Sequence, residues 1–336
     1  MMKNMNNQQH SPILLITFNR PKHTRQVLEA IMESQPRELF VFQDGAREGN
    51  ADDEMNCIEV RRVIEDLVFG TQVRLHTYYS KKNLGCGSGP MTGINWFFGL
   101  VEMGIVIEDD CLPHPDFFRY CEELLEKFKD DESVYFINST LYDNRWKCEA
   151  SYDFSHYMVT GAWAGWKRTW KGFDLDLKTL DAVKFRKHVL RLTSNRAEAN
   201  WWFSIVKEIQ HDDSKKSYWD YQMQIHLFRN NALTIHPHCN LVSNIGFDKA
   251  GTHTLNNIDN RGNREVFSIL PLLHPSRQRV NKERDTYCWA KDRSENWLKD
   301  EINYLYQRLL WSEGLGHGLL MAYKKLMGKG INSRKV

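Results

Sequence analysis

Three consecutive carboxylates, Glu108-Asp109-Asp110, follow directly on the apolar run Ile105-Val106-Ile107. Like charges crowded at the end of a buried strand repel one another unless a cation or a set of donors balances them. Their oxygens suit Mg2+ or Mn2+, hard ions that take one or two carboxylates and complete their shell with substrate phosphates. Such an ion on a diphosphate would neutralise the charge that builds up as a nucleotide departs. The alternative is a solvated acidic turn leading into a helix that starts near Asp116, with Asp116 as its cap. Two other polar pairs stand in the same relation to apolar runs: Asn19-Arg20 after Pro12–Phe18, and Gln43-Asp44 closing Glu38–Asp44. Further along, Asp220 opens a helical segment among aromatic neighbours, Trp219 and Tyr221. Partial desolvation there would raise a carboxyl's proton affinity, whereas a helix dipole would favour the ionised form.

The elements that must hold these residues are readable from periodicity. Apolar runs predict strands over 12–18, 38–44, 73–79, 104–108 and 134–137, and amphipathic patterns predict helices over 23–34, 53–68, 91–101 and 116–128. Strands separated by helices of this length imply crossovers and a mainly parallel, twisted α/β sheet covered on both faces. Ligands of such sheets bind beyond the carboxyl ends of the strands, where all three polar clusters fall. Past residue 150 the rhythm changes to longer helical and aromatic segments, 201–210 and 218–229, with a short strand at 233–236. The expected division is 1–150 as a nucleotide-binding half, 151–270 as an acceptor-side half and 271–336 as a helical extension. The glycine-rich segment Gly85-Cys-Gly-Ser-Gly89 reads as a loop before the 91–101 helix. It is neither GxGxxG nor a P-loop.

Composition narrows the class. A net charge of +2 over 336 residues argues against a nucleic-acid groove. The seven cysteines are scattered without a CxxC pair, so neither a zinc site nor a disulfide framework is expected and a reducing cytoplasm is the natural setting. The first ten residues are polar, unlike a signal peptide, and no apolar run is long enough to span a bilayer. The pattern over 297–326 is helical and the tail after it basic. That helix would either rest peripherally on the inner face of a membrane or pack against the protein with a solvated tail. His114, His236 and His238 have no metal-ligand spacing and read as structural.

The run Glu108-Asp-Asp-Cys-Leu-Pro-His-Pro-Asp-Phe-Phe-Arg-Tyr120 resembles the metal-binding region of the N-acetylglucosaminyltransferase I group, glycosyltransferases of the GT-A fold. The resemblance continues in order through Ile16-Thr-Phe-Asn-Arg20, Val41-Phe-Gln-Asp-Gly45, Gly161-Ala-Trp-Ala-Gly-Trp166 and Trp219-Asp220 to a glycine-containing loop after Ile245, so it spans about residues 12–255. It implies an inverting, Mn2+- or Mg2+-dependent transfer of a sugar from a nucleotide-sugar to an acceptor hydroxyl. In that scheme Asp110 is the metal ligand and Glu108 and Asp109 face the donor sugar and ribose. Arg20 and Asp44 bind the nucleotide, Asp44 through the imide N–H of uracil, which favours a UDP-sugar. Asp220 is the general base. Lys249 and His253, in the loop from Gly246, reach the diphosphate on closure. Trp163 and Trp166 line a sugar pocket, with core packing as the alternative. The chain departs from the animal enzymes in its N-terminus and its 271–336 region, so the expected acceptor is a cell-surface polysaccharide or lipid-linked glycan precursor. Two rivals stand beside this reading. A sugar nucleotidyltransferase would need a glycine-rich activating loop after the first strand, where Asn19-Arg-Pro-Lys-His23 stands. A carbohydrate-binding protein of the same fold would bind without catalysis.

Overall fold

The computed structural model describes residues 10–141, 149–212, 219–247, 262–293 and 305. In chain order the elements are β1 (Ile13–Thr17), α1 (Pro21–Glu33), β2 (Glu38–Gln43), α2 (Ala51–Val68), β3 (Arg74–Tyr79), α3 (Gly85–Leu100), β4 (Met103–Glu108), β5 (Cys111–Pro113) and α4 (Asp116–Lys127). They continue with β6 (Val134–Asn138), β7 (Tyr152–Ser155), β8 (Ala162–Trp166), α5 (Ala182–Thr193), α6 (Arg196–His211), α7 (Trp219–Arg229), β9 (Leu233–Pro237), β10 (Val242–Asn244) and α8 (Lys282–Arg293). The described parts of Met1–Gly172 and Leu233–Val280 form one compact unit, and those of Phe173–Ala232 and Asn281–Val336 a second.

The first unit is a mixed α/β, Rossmann-like layer built on an eight-stranded sheet in the order β3-β2-β1-β4-β8-β6-β9-β7. Parallel pairing joins β3, β2, β1 and β4. Strand β8 runs against both β4 and β6, β9 runs with β6, and β7 runs against β9, so only β8 and β7 oppose the common direction. The continuous burial of β1 follows from helices on both faces. Odd-numbered Ile13, Leu15, Leu39, Val41, Ile105 and Ile107 meet Val27 and Leu28 of α1, Val60 and Ile64 of α2, and Phe117 and Leu124 of α4. Even-numbered Phe40 and Phe42 face α3: the Phe40 ring lies 5.1 Å from Phe97, and Phe42 occupies the space beside Gly93. Burying one such aliphatic or aromatic side chain contributes about 1.5–3 kcal/mol. The two-residue alternation therefore fixes the register, since a one-residue slip would exchange the faces.

Strand and helix positions agree with the periodicity to within a few residues, with two corrections. The glycine-rich segment is no loop: α3 begins at Gly85, six residues ahead of the expected start. Asp116 does not cap α4, which follows Pro115; the Asp116 amide donates to His114 Nδ1 at 3.1 Å. Its carboxylate instead receives Ser268 Oγ at 2.6 Å and the Ile269 amide at 3.0 Å, fastening that later segment to the start of α4.

The second unit is helical. Asp181 caps α5 by accepting from the Val183 and Lys184 amides, and Asn195 caps α6 by accepting from Glu198. Trp202 of α6 packs edge-on against Phe228 of α7 at 5.4 Å, and His188 Nε2 of α5 lies 2.8 Å from the Phe228 carbonyl. No helix among the described residues is long and apolar enough to cross a membrane. The 297–326 segment lies outside the described residues apart from Leu305, whose side chain is exposed.

Candidate functional site

Parallel pairing lines up the carboxyl ends of β2, β1 and β4, and so brings Asp44, Phe18–Arg20 and Glu108–Asp110 to one edge of the sheet. Only Phe18, Asn19 and Arg20 connect β1 to α1. Pro21 opens the helix with its φ already set, and Arg20 is the residue on which the helix turns in.

Arg20 closes over the acidic tip. Its Nη2 donates to Asp109 Oδ1, and its Nη1 to Asp110 Oδ2 at 2.9 Å. Asp109 is 2% exposed and also accepts the Phe18 amide at 3.3 Å, while its own amide extends the β1–β4 ladder to the Ile16 carbonyl at 3.0 Å. Burial pushes the Asp109 carboxyl up, reinforced by Asp110 and opposed by the Arg20 charge. For Arg20, burial lowers the pKa, but the two carboxylates outweigh it and the net shift is upward. The repulsion inherent in Glu108-Asp109-Asp110 is thus balanced in part from within the chain, by a guanidinium.

Asp110 is the less buried of the pair, at 14% side-chain exposure against 3% for Asp109. The antiparallel β5–β10 pair brings Asn244 opposite Cys111 and carries the chain across Asp110, whose carbonyl accepts the Ile245 amide at 2.8 Å. Gly246 then passes so close that a Cβ there would stand 2.9 Å from Asp110 Cβ and 3.0 Å from its Cγ. Asp110 Oδ1 accepts from Cys111 Sγ at 3.4 Å. Burial, with Asp110 and Glu108 adding to it, holds the Cys111 thiol well above its usual value. The Glu108 amide donates to the Gly161 carbonyl at 2.7 Å, and Glu108 is half-buried.

Among the described residues no three His, Cys, Asp or Glu side chains converge as a metal cage. A hard ion could still take Asp110 with substrate oxygens completing its shell. Two features fit that use. Asp110 keeps 14% side-chain exposure with a cation, the Arg20 arm, already on its Oδ2, and Gly246, having no Cβ, passes against that carboxylate without clashing.

Asp44 has a different surrounding from the one expected of a base reader. It is 7% exposed, and its oxygens accept the Gly45 and Leu84 amides at 2.8 Å, the Gly85 amide at 3.0 Å and Asn83 Nδ2 at 3.2 Å. Burial raises its pKa against these backbone donors. A carboxylate so occupied is an anchor for the start of α3. The glycines make this approach feasible: Gly85 has φ +80°, and a Cβ at Gly89 would meet Asp44 Oδ2 at 3.2 Å.

Trp163 is 1% exposed in β8, stacked on Phe136 at 4.3 Å and flanked by Phe98 and Trp170, with no face left for a sugar. Trp166 is 3% exposed beneath the Arg168 guanidinium at 4.2 Å, again core. Asp220, half-buried, is the second residue of α7 in the helical unit. Lys249 and His253 lie outside the described residues. Sequence reasoning missed the Gly246–Asp110 approach, although a glycine after the run ending at Ile245 signals such a crossing. It also missed Arg47, fixed by Asp53 through Nε–Oδ2 at 2.5 Å and Nη2–Oδ1 at 2.8 Å, with Asn19 on the same carboxylate at 2.6 Å. Arg47 stands 5.8 Å over the Phe18 ring beside the β1 end.

No protein-family model matches the chain, and no curated protein does. Among solved structures it is similar to a UDP-glucose pyrophosphorylase complexed with UDP-glucose, at 14% identity and TM-score 0.30, covering 48% of this chain and 78% of that one. It is also similar to the inositol-1-phosphate CTP transferase from T. maritima, at 11% identity and TM-score 0.30, covering 48% and 73%. A third is HddC from Yersinia pseudotuberculosis, at 10% identity and TM-score 0.27, covering 47% and 78%. Likeness at this level says nothing of this chain's chemistry, and the resemblance to the N-acetylglucosaminyltransferase I group rests on the sequence motifs alone.

Proposed function

We propose that this chain is a transferase acting on nucleotide-sugars, and more finely an inverting glycosyltransferase that carries a sugar from a UDP-type donor to a hydroxyl of a glycan or lipid-linked acceptor. The observation that supports it most is the acidic tip at the carboxyl end of β4: Asp110 partly exposed, paired with Arg20 and closely approached by the Gly246 backbone. Asp110 would hold Mn2+ or Mg2+, which when bound supplies a positive charge to the departing diphosphate. Arg20 adds a fixed second charge beside it. Glu108, half-buried like Asp110, would take hydroxyls of the donor, while Asp109 serves by pinning Arg20. Asp44 would act on the nucleotide through the 83–89 backbone that it fixes. Asp220 would remove the acceptor's proton, and Lys249 and His253 would approach the diphosphate.

Nucleotidyl transfer is the second reading, since it uses the same kind of sheet and acidic tip. The three-residue passage from Thr17 to Pro21 favours sugar transfer, because it has no room for a glycine-rich activating loop. Products separate the two. With a UDP-sugar, Mn2+ and acceptor, 31P NMR should show UDP; with pyrophosphate instead, a nucleotidyltransferase would release UTP and sugar-1-phosphate. Before that, UDP should raise the Tm only when Mn2+ is present. Equal stabilisation by every nucleotide with or without metal, or release of UTP, would sink the glycosyltransferase reading. Asp220→Asn should keep UDP–Mn2+ binding and lower kcat at least 100-fold, whereas a non-catalytic binding protein would show no transfer to lose.

A further inference from the structure

We infer that Arg20 competes with the divalent ion for Asp110, and that its Nη1 arm moves from Asp110 to a phosphate oxygen of the nucleotide when the ion is taken up. This rests on the metal reading of Asp110 given above. The two carboxylates that share the guanidinium are unequal. Asp109 is almost wholly buried, held also by the Phe18 amide, and cannot release Nη2 without leaving a charge enclosed. Asp110 is the more exposed, and among the described residues one of its oxygens is bound only by the weak donor Cys111 Sγ. The Arg20 fork therefore has one fixed prong and one exchangeable prong. A guanidinium keeps its proton in proteins, so the exchange is one of partners alone.

An ion alone must displace Nη1 and leave it without an acceptor. An ion arriving with a diphosphate gives Nη1 an anionic phosphate oxygen in place of the carboxylate, a partner that a guanidinium binds well. Asp110 would then favour metal–nucleotide pairs over free metal, and nucleoside diphosphates over nucleosides.

The test measures Mn2+ alone by EPR of the free ion, and UDP and uridine by calorimetry at saturating Mn2+. It compares the native protein with Arg20→Gln, with Arg20→Gln/Asp109→Asn, which removes both charges of the buried pair, and with Arg20→Lys, which keeps the charge but not the second prong. Each variant should bind Mn2+ alone at least fivefold more tightly and UDP at least tenfold more weakly, with uridine unchanged. Opposite signs for metal and UDP are the signature, since a merely structural role moves both the same way. Mn2+ binding that is equal or weaker in every folded variant overturns the inference while leaving the metal reading intact. Uptake of Mn2+ by none of the proteins, with or without UDP, overturns both.

Discussion

Two carboxylates just past the carboxyl ends of parallel strands, Asp44 after β2 and Asp110 after β4, lie at the same edge of one sheet and have opposite surroundings. Asp44 accepts from three backbone amides and one Asn side chain: Gly45 next to it, and Asn83, Leu84 and Gly85 where the chain enters α3. Asp110 faces one guanidinium arm, shared with Asp109, and a weak thiol donor. Fixed N–H groups turn a carboxylate into part of the scaffold, while a removable cation keeps it available for chemistry. Topology names the edge at which a site can form, and the donors decide which residue on that edge is reactive.

Removing the buried partner should have the largest effect. Asp109→Ala removes the buried acceptor of Arg20 Nη2 and of the Phe18 amide and should cost about 3–5 kcal/mol, seen as a lowered urea midpoint. Asp110→Asn should cost far less stability yet abolish the Mn2+-dependent Tm shift with UDP. Equal losses of stability at the two positions would erase the distinction between fixed and exchangeable prongs. Asp44→Ala comes next, at about 2–3 kcal/mol, because the Leu84 and Gly85 amides lose their acceptor. If that variant unfolded at the native midpoint but lost UDP binding, Asp44 would be a base reader and the contrast with Asp110 would fail. Gly246→Ala should cost about 1–2 kcal/mol, as its new methyl group pushes against the Asp110 carboxylate. The Mn2+ response should fall with it. A full response from Gly246→Ala would mean that the β10 crossing does not set the position of Asp110.

The contrast also marks what the sequence makes legible. The parallel half of the sheet is readable because β1, β2 and β4 are unbroken apolar runs, and a strand buried on both faces has no other pattern. Strands β5, β7, β8 and β10 were not readable: they are three to five residues long, and Ala162-Trp-Ala-Gly-Trp166 has no periodic signature. The acidic tip was visible as a local cluster. Its counter-charge was not, because Arg20 lies 89 and 90 residues from its two partners. Nor was the saturation of Asp44, whose donors at Leu84 and Gly85 lie 40 and 41 residues on. Glycine misled at the start of α3, since its helix cost of about 1 kcal/mol per residue is overridden where only a bare Cα lets the helix meet Asp44.

The smallest effect concerns a third carboxylate near the same edge, Asp53, which lies between the two extremes. Its partner Arg47 is a charged side chain like Arg20, but 53% exposed, and Asn50 and Asn19 fix the rest of its surroundings. The Arg47 hydrogen bond leads the causes that bring the Asp53 pKa from 3.8 down to about 2, against an opposing contribution from burial. A carboxyl whose folded pKa is depressed stabilises the fold above its unfolded pKa, and that stability is lost as pH falls toward the folded value. The full shift would correspond to roughly 2.4 kcal/mol, but solvent around Arg47 reduces this to about 1 kcal/mol. The native protein should therefore exceed Arg47→Met by about 1 kcal/mol in urea unfolding at pH 6, and the gap should shrink by about half near pH 3. A gap that stays constant across that range would show that Arg47 acts through packing on Phe18 and not through the charge of Asp53.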